Sequence, residues 1–420
     1  MSDKKIGVIG AGISGMSVAR LLKDDFEVEV LEKLPVVGGI ARTKDVDGKP
    51  YHVNGGHCFD SKFENVLDFV FENILHKDKW NFLSRKAKVL FKNNWISYPI
   101  EFSIKQIDKI DSNLAFSITK EMFSATYEKG NNLEEWFINH FGSTLAKEYF
   151  IPYNTKIWGT SPKNMDNFWI KDQNQMKLPV PTKESFYKSL IYNKSFDKMV
   201  HSTFYYPKTN NQNTFIESIG DDVKIFTGYE VKDIAKEGNQ WIINGEKKYD
   251  ILINTSPLDL MPKILKTIPG EALNYFKKLK YNKVTNIFWE TDGSLDITWG
   301  YIPDPNIGFH RISNTGSIVK PKSNFCTTEA IGEIPYEKLV LEGKKIDFLV
   351  KPLDYNVTEH AYPLFDLNYV KSRKVAIDYL KSLGIISHGR FGEWEYYNMD
   401  VCIKKSIDLA KNIKEWFRDR

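Results

Sequence analysis

Residues 6–43 read IGVIGAGISGMSVARLLKDDFEVEVLEKLPVVGGIART, and this stretch decides the fold. Residues 6–9 form an apolar run with β-branched members, which predicts a short buried strand. Gly10, Gly12 and Gly15 follow at the G-x-G-x-x-G spacing, with Ser14 inside the pattern. They open a helix whose Met16, Ala19, Leu21 and Leu22 suit a buried face. A second strand at 27–31 ends in Glu32. Gly10 permits the tight turn, Gly12 lets a pyrophosphate approach the backbone, and Gly15 lets helix and strand pack closely. The helix N-terminus offers free N–H groups and a positive dipole end to phosphates. Glu32 at the tip of the second strand is expected to accept hydrogen bonds from an adenosine ribose.

A glycine turn alone also joins strands and helices that bind nothing. Here the strand, turn, helix, second strand and acid occur together, which favours dinucleotide binding. The residues that follow bear on which dinucleotide. Gly38-Gly39-Ile-Ala41-Arg42-Thr43 resembles the GG-x-x-x-[ST] extension of two-dinucleotide-binding-domain flavoproteins, the amine-oxidase and UDP-galactopyranose-mutase families among them. That resemblance implies FAD rather than NAD.

The 420 residues suffice for two or three domains, and the net charge of +4 is small for that length. Lysine far outnumbers arginine and no compact basic block appears, so nucleic acid is not an expected partner. Three cysteines, Cys58, Cys326 and Cys402, are widely spaced. They suggest neither a disulfide framework nor a metal site, and fit a reducing cytoplasm. No apolar run is long enough to span a bilayer, and the nucleotide fold starts too near Met1 for a signal peptide. A cytoplasmic protein without membrane attachment is expected.

Along the chain, residues 51–60 form a glycine turn carrying His57, which taken alone reads more readily as a loop with a satisfied imidazole than as a functional histidine. Residues 63–75 predict an amphipathic helix, and 88–99 a hairpin turning at Lys92-Asn93-Asn94. Helical periodicity over 104–127 and 133–150, with Trp136, Phe137 and Phe141 as core, predicts a small inserted helical domain. Tyr153 and Trp158, bracketed by Pro152 and Gly159, read either as a buried corner or as a stacking platform for a base or sugar. Residues 171–194 are polar, contain Pro179 and Pro181, and read as a loop or lid. A short helix from Phe215 and strands at 223–226, 230–235, 240–243 and 247–254 predict the second half of the nucleotide-binding domain. Further strands at 284–289, 299–302, 309–312, 329–334 and 356–362 predict an antiparallel substrate sheet. Residues 388–400 form a glycine-rich strand end feeding a helix over 401–417, a second place for such a fold to hold a cofactor.

Taken together, these segments resemble the UDP-galactopyranose mutase family along nearly the whole chain. The resemblance is carried by the amino-terminal fingerprint, Gly55-Gly56-His57, Trp95-Ile-Ser-Tyr98-Pro99 and Glu135-Trp136. It continues through Pro152-Tyr153-Asn-Thr-Lys-Ile-Trp158-Gly159, His310-Arg311-Ile312, Ala361-Tyr362-Pro363 and Gly389-Arg390-Phe391-Gly392. It implies an α/β fold: a two-dinucleotide-binding-domain (Rossmann-like) FAD fold with an inserted helical domain and an antiparallel β-sheet substrate domain. The expected boundaries are 1–84, 208–262 and 384–420 for the FAD domain and 100–150 for the helical insert. The substrate domain takes 85–99, 151–207 and 263–383, with a lid around 171–194.

The resemblance further implies a flavoenzyme that interconverts pyranose and furanose forms of a nucleotide sugar, UDP-galactopyranose by default, with N5 of reduced FAD as nucleophile at the anomeric carbon. NAD(P)H or another reductant would reduce the flavin, and a homodimer is among the expectations. Carried over, His57 would sit beside the flavin, and Arg311 would clamp the pyrophosphate with its planar fork. Tyr362 with Tyr396 or Tyr397 would place hydroxyls near the diphosphate, and Asn398 completes the catalytic set. Tyr153 would stack on uracil and Trp158 would shape the sugar end. FAD would be held by Gly10, Gly12, Ser14, Gly15, Glu32, Lys33, Gly39, Ala41, Gly56, Val231, Arg390 and Met399.

Four positions depart from the family pattern. Residues 171–194 hold no arginine where the family carries one, and Lys177 is the candidate replacement. Asn398 stands where many bacterial members have aspartate, Asn210-Asn211 replaces a glycine pair, and no tyrosine occurs around Glu329-Ala330. Two other classes share the cofactor fingerprint: an FAD oxidoreductase of amine-oxidase or desaturase type, and a flavin-fold protein without mutase activity.

Overall fold

The computed structural model describes residues 4–170, 178, 180–192, 202–265, 267–294 and 296–418. Lys177, the candidate replacement for the lid arginine, lies outside the described residues. The first strand, Lys5–Ile9, sits in the middle of a five-stranded parallel sheet. Its neighbours are Glu27–Glu32 on one side and Ile251–Asn254 on the other, with Lys224–Thr227 and Ile385–Ser387 at the edges. Lys5–Ile9 and Ile251–Asn254 are buried inside the sheet, which is why they read as apolar runs, and Glu27–Glu32 is buried from Val28 onward although it carries Glu29. The helix Ile13–Leu22 packs over this sheet against the carboxy-terminal helix Met399–Arg418.

Residues expected as one strand, 247–254, are divided between two sheets. Lys247–Tyr249 closes a three-stranded antiparallel meander with Ile234–Glu237 and Gln240–Ile243, and Ile251–Asn254 enters the parallel sheet. Asp250 is the break: its carboxylate accepts from the Lys5 backbone N–H at 2.9 Å, ending one pairing and starting the next. The strand expected at 230–235 starts only at Ile234, because 230–233 form a loop in which Asn244 Oδ1 accepts from the backbone of Lys232 and Asp233.

The second large element is a seven-stranded sheet. Its order is Leu349–Pro363, Tyr281–Thr291, Phe325–Ile331, Arg311–Ser313, Trp299–Tyr301, Ala87–Phe91, Asn94–Ser97. All its neighbours are antiparallel except Trp299–Tyr301 beside Ala87–Phe91. The mixed α/β class with one parallel and one mainly antiparallel sheet is therefore as the sequence predicts.

Helices fill the region between residues 104 and 158. The single helix expected over 104–127 is two, Ile104–Asp108 and Ser112–Phe123, because Asp111 caps the second by accepting from Leu114 N–H. Asn132 Oδ1 caps Leu133–Leu145 by accepting from Glu135 N–H, and the Glu135 carboxylate accepts in turn from the Asn131 backbone N–H. Phe137, Phe141 and Phe150 stack inside, with Phe141 and Phe150 at 4.1 Å between centroids. Tyr153 and Trp158 stand on the helix Ile151–Trp158, which continues this bundle and is not an isolated corner. Within the polar stretch expected as loop or lid, Lys183–Tyr192 is helical and buries Phe186. Cys58, Cys326 and Cys402 are free thiols. Among the described residues, no helix is long and apolar enough to cross a membrane.

Candidate active site

A cleft of about 1020 Å³ runs from the glycine turn across to the open face of the seven-stranded sheet. Its dinucleotide end is built by steric allowance. Gly10 has φ +100°, a conformation that side chains disfavour. A Cβ on Gly15 would overlap Gly10 O and stand 3.1 Å from Thr255 Oγ1, whereas a Cβ on Gly12 would meet nothing within 4 Å. Gly12 caps the helix Ile13–Leu22 without a side-chain bond, so the first-turn N–H groups face the cleft. Glu32 is buried and its two oxygens accept from Ala11 N–H (2.8 Å) and Leu34 N–H (2.9 Å). Its carboxylate therefore fixes the turn and still has lone pairs toward the cleft.

The carboxy-terminal glycines close this end. A Cβ on Gly389 (φ +80°) would overlap Ser14 Oγ, and one on Gly392 would overlap Asn254 O. The GRFG turn is thus pressed against the amino-terminal loop. Arg390 donates from Nη1 to Tyr397 O (2.9 Å) and from Nη2 to Ala361 O (2.8 Å), tying the last segment to the long strand Leu349–Pro363. Its guanidinium lies 4.3 Å from the Tyr396 ring centroid, and Tyr396 stacks on Tyr362 at 5.6 Å and 9°. Arg390 Nε is buried with no partner.

Arg311 occupies the centre. Its Nε donates to Glu329 Oε1 at 2.7 Å, and its Nη2 donates to Glu329 Oε2 and, at 3.0 Å, to the Tyr362 hydroxyl. Ser313 Oγ donates to Glu329 Oε1 at 2.8 Å, and Glu329 is fully buried. The fork expected to grip phosphate is therefore anchored to a carboxylate from the next strand, and the two Nη1 hydrogens remain for the cleft. Burial opposes the guanidinium charge, but Glu329 outweighs it and holds the Arg311 pKa above its ordinary value. Gly55, at φ +81°, explains the glycines before His57: any Cβ there would overlap the Glu329 carboxylate. The Val53 carbonyl is pinned by Asn286 Nδ2 (2.7 Å) and Asn356 Nδ2 (2.8 Å).

His57 Nδ1 stands 2.8 Å from Gly55 O, which makes it the protonated nitrogen and leaves Nε2 as an acceptor. Burial lowers its pKa to about 4, the Gly55 bond working against this and Arg390 and Arg311 with it. Behind it, His52 Nδ1 accepts from His57 N–H at 3.2 Å, so His52 Nε2 donates to the Tyr206 hydroxyl at 2.9 Å. Burial holds His52 at about 3, with His57 adding to the effect.

The cleft brings together His57, Arg311, Tyr362, Tyr396, Tyr397 and Asn398 with Gly10, Gly12, Ser14, Glu32, Lys33, Gly39, Ala41, Gly56, Val231, Arg390 and Met399. Three expected residues do not line it. Gly15 is behind the loop for the packing reason above. Tyr153 stacks face to face on Tyr149 at 5.6 Å, and Trp158 is buried edge-on behind Tyr362 at 6.3 Å. The Tyr397 hydroxyl is turned to Glu393 Oε2 at 2.7 Å, which leaves Tyr396 as the tyrosine facing Tyr362. Sequence reading missed Glu329, Arg42 and Arg85. A glutamate inside the apolar strand Phe325–Ile331 was the available signal, since a fully buried carboxylate requires a charged partner.

Residues 8–72 match the model of an NAD(P)-binding Rossmann-like domain. A probable UDP-galactopyranose mutase of Klebsiella pneumoniae is 25% identical over 423 residues, covering 98% of this chain and 94% of the relative. A dTDP-fucopyranose mutase of Escherichia coli is 26% identical over 185 residues, and that match spans 42% of this chain and under half, 46%, of the relative. A protoporphyrinogen oxidase of Dictyostelium discoideum is 22% identical over 363 residues, 68% of this chain and 66% of the relative. Among solved structures, reduced UDP-galactopyranose mutase superposes with a TM-score of 0.84 at 22% identity, over 98% of this chain and 96% of that one. With an arginine-centred cleft built on a dinucleotide-binding sheet, the chain resembles the UDP-galactopyranose mutases along its whole length, as a divergent relative.

Proposed function

We propose that the cleft holds FAD with a nucleotide sugar beside it, and that the protein interconverts pyranose and furanose forms of that sugar. The observation that carries this reading is the meeting, in one cleft, of an open glycine turn and an arginine whose free edge is aimed by a buried glutamate. The chain fits the cofactor: Gly12 leaves room against its backbone, the helix N-terminus is uncapped, and Asn54 Oδ1 and Arg390 Nε are buried without partners. Gly10, Gly12, Ser14, Glu32, Gly39 and Arg390 would hold the group. When bound and reduced, FAD supplies an electron-rich nitrogen able to displace a nucleoside diphosphate from an anomeric carbon.

The chain's own residues then have separable tasks. Arg311 presents Nη1 to charge growing on the departing pyrophosphate, and Glu329 prevents the fork from reorienting as that charge appears. Tyr362 and Tyr396 add hydroxyl donors on the same side, held parallel by Arg390. His57, neutral with its proton on Nδ1, offers Nε2 to accept a hydrogen bond from a sugar hydroxyl. Reduction by NAD(P)H or another donor belongs to the same proposal.

A second reading, an FAD-dependent oxidoreductase, draws on the likeness to protoporphyrinogen oxidase. One experiment separates the two. Dithionite-reduced protein is incubated anaerobically with UDP-galactopyranose or UDP-galactofuranose, and the sugar is followed by NMR. Ring interconversion supports the mutase. A parallel incubation of the oxidised protein in air covers the other reading: peroxide release on an amine or polyene there, without sugar turnover in the anaerobic arm, supports the oxidoreductase, and protein that takes up no FAD overturns both.

A further inference from the structure

Four arginines line the cleft, and three have their guanidinium committed within the protein. Arg311 is paired with Glu329, Arg390 with two carbonyls, and Arg42 with Gly39 O at 2.6 Å. Arg85 differs. It stands between the strands Trp80–Ser84 and Ala87–Phe91, enclosed by aromatic rings rather than by acids. Its guanidinium carbon is 5.2 Å from the Trp299 ring centroid and 5.9 Å from those of Tyr98 and Tyr301. Like Arg390 it keeps a buried Nε without a partner, but where the other three donate to carbonyl or carboxylate oxygens, the one side-chain bond of Arg85 among the described residues runs from Nη2 to the neutral Tyr301 hydroxyl. A guanidinium cannot shed its proton to relieve this, so the charge selects for an anion entering the cleft.

Position separates this anion from the pyrophosphate. Tyr301 lies directly across from Arg311 and Trp299 across from Ser313. Arg85 leads into Ala87–Phe91, on the far side of Trp299–Tyr301 from Arg311, whose partners Glu329 and Tyr362 lie in the opposite direction across the sheet, and it stands nearest the Trp299 ring. That end of the cleft holds Gly56, whose Cβ would be 3.5 Å from the Trp299 ring, and His57 follows it. With a diphosphate on Arg311, the group reaching Arg85 is on the sugar. We propose that Arg85 reads a carboxylate on that sugar, so that the preferred ligand is a nucleotide hexuronate. This rests on the nucleotide-sugar reading above. A carboxylate fits because it is planar, singly charged and matched to a guanidinium edge, while the aromatic walls exclude the water that would screen the pair.

The test uses the FAD-loaded protein and calorimetric titration with UDP, UDP-galactose, UDP-galacturonate and UDP-glucuronate. Wild type is expected to bind one or both uronates at least roughly tenfold more tightly than UDP-galactose. Arg85→Gln should lower uronate affinity by roughly 30-fold or more and leave UDP unchanged, with Arg85→Lys in between. Arg85→Lys also keeps the test open if Arg85→Gln fails to fold. No uronate preference in wild type overturns the proposal. So does an equal loss for UDP and every sugar in the variants, which would put Arg85 on the pyrophosphate. Wild type that ignores UDP altogether overturns the nucleotide-sugar reading beneath it.

Discussion

Two glycines three residues apart should respond to alanine in opposite ways. Gly12 has φ −79° and ψ −179°, which any residue adopts, and its Cβ would touch no protein atom within 4 Å. The apoprotein should lose only about 1 kcal/mol in Gly12→Ala, since alanine is a poorer N-cap than glycine. The methyl would instead stand in the space left for a phosphate, an overpacking cost of about 1–3 kcal/mol, or a loss of roughly 5- to 150-fold in FAD affinity. Gly15→Ala is the reverse. Its methyl would overlap Gly10 O and crowd Thr255 Oγ1 at 3.1 Å, so the helix must move off the sheet. The apoprotein should lose about 3 kcal/mol or more. Urea unfolding of deflavinated protein reads the first quantity, and quenching of FAD fluorescence on titration reads the second. Should Gly12→Ala keep FAD affinity within about twofold of wild type, the turn is not where phosphates lie.

Other expectations concern the arginine cluster and the histidines. Arg311→Ala should weaken UDP binding by about 2–5 kcal/mol in calorimetry, and unchanged binding would remove Arg311 from the site. Glu329→Gln should cost about 3–5 kcal/mol in urea unfolding, because it strips a buried guanidinium of its counter-charge. Saturating UDP should restore more stability to that variant than it adds to wild type, and equal gains would refute the anchoring role. His57 and His52, lowered to about 4 and about 3, bind fewer protons folded than unfolded between those values and 6.5. Stability should therefore hold above pH 6.5 and fall as pH drops toward 4. Glu29 and Glu393, both lowered to about 2, add a loss of their own below about pH 4.5. His57→Asn should flatten the unfolding midpoint between pH 6.5 and 4.5, and an unaltered slope there would contradict a neutral His57.

The glycine turn was legible because glycine spacing reports backbone geometry directly: Gly10 takes the left-handed turn and Gly15 the close packing that their positions suggested, and Gly12 is left uncrowded. The split of 247–254 was not, since apolar alternation runs through Asp250. The break depends on Asp250 reaching the Lys5 backbone, with Tyr249 lying over Gly7, where a Cβ would come within 2.7 Å of its ring, a contact with a strand 242 positions earlier. The helix Lys183–Tyr192 was hidden because Phe186 is its one large buried apolar side chain. Trp158 and Tyr153 were singled out by type, yet aromatics in a helical bundle face inward as readily as outward. Glu329 and Arg85 are charged residues in strand-like surroundings, and only tertiary pairing distinguishes the neutralised Arg311 from the guanidinium left to a ligand.

The contact of Gly389 with Ser14 has a temporal side. Ser406 Oγ bonds both Ser14 O (3.3 Å) and His388, so residues near either end of the sequence clasp one another across nearly four hundred positions. A ribosome delivers the glycine turn before the segment that closes it. During that interval the nascent chain carries a half-built cradle, and a dinucleotide held as proposed above would be gripped only once Met399–Arg418 has emerged.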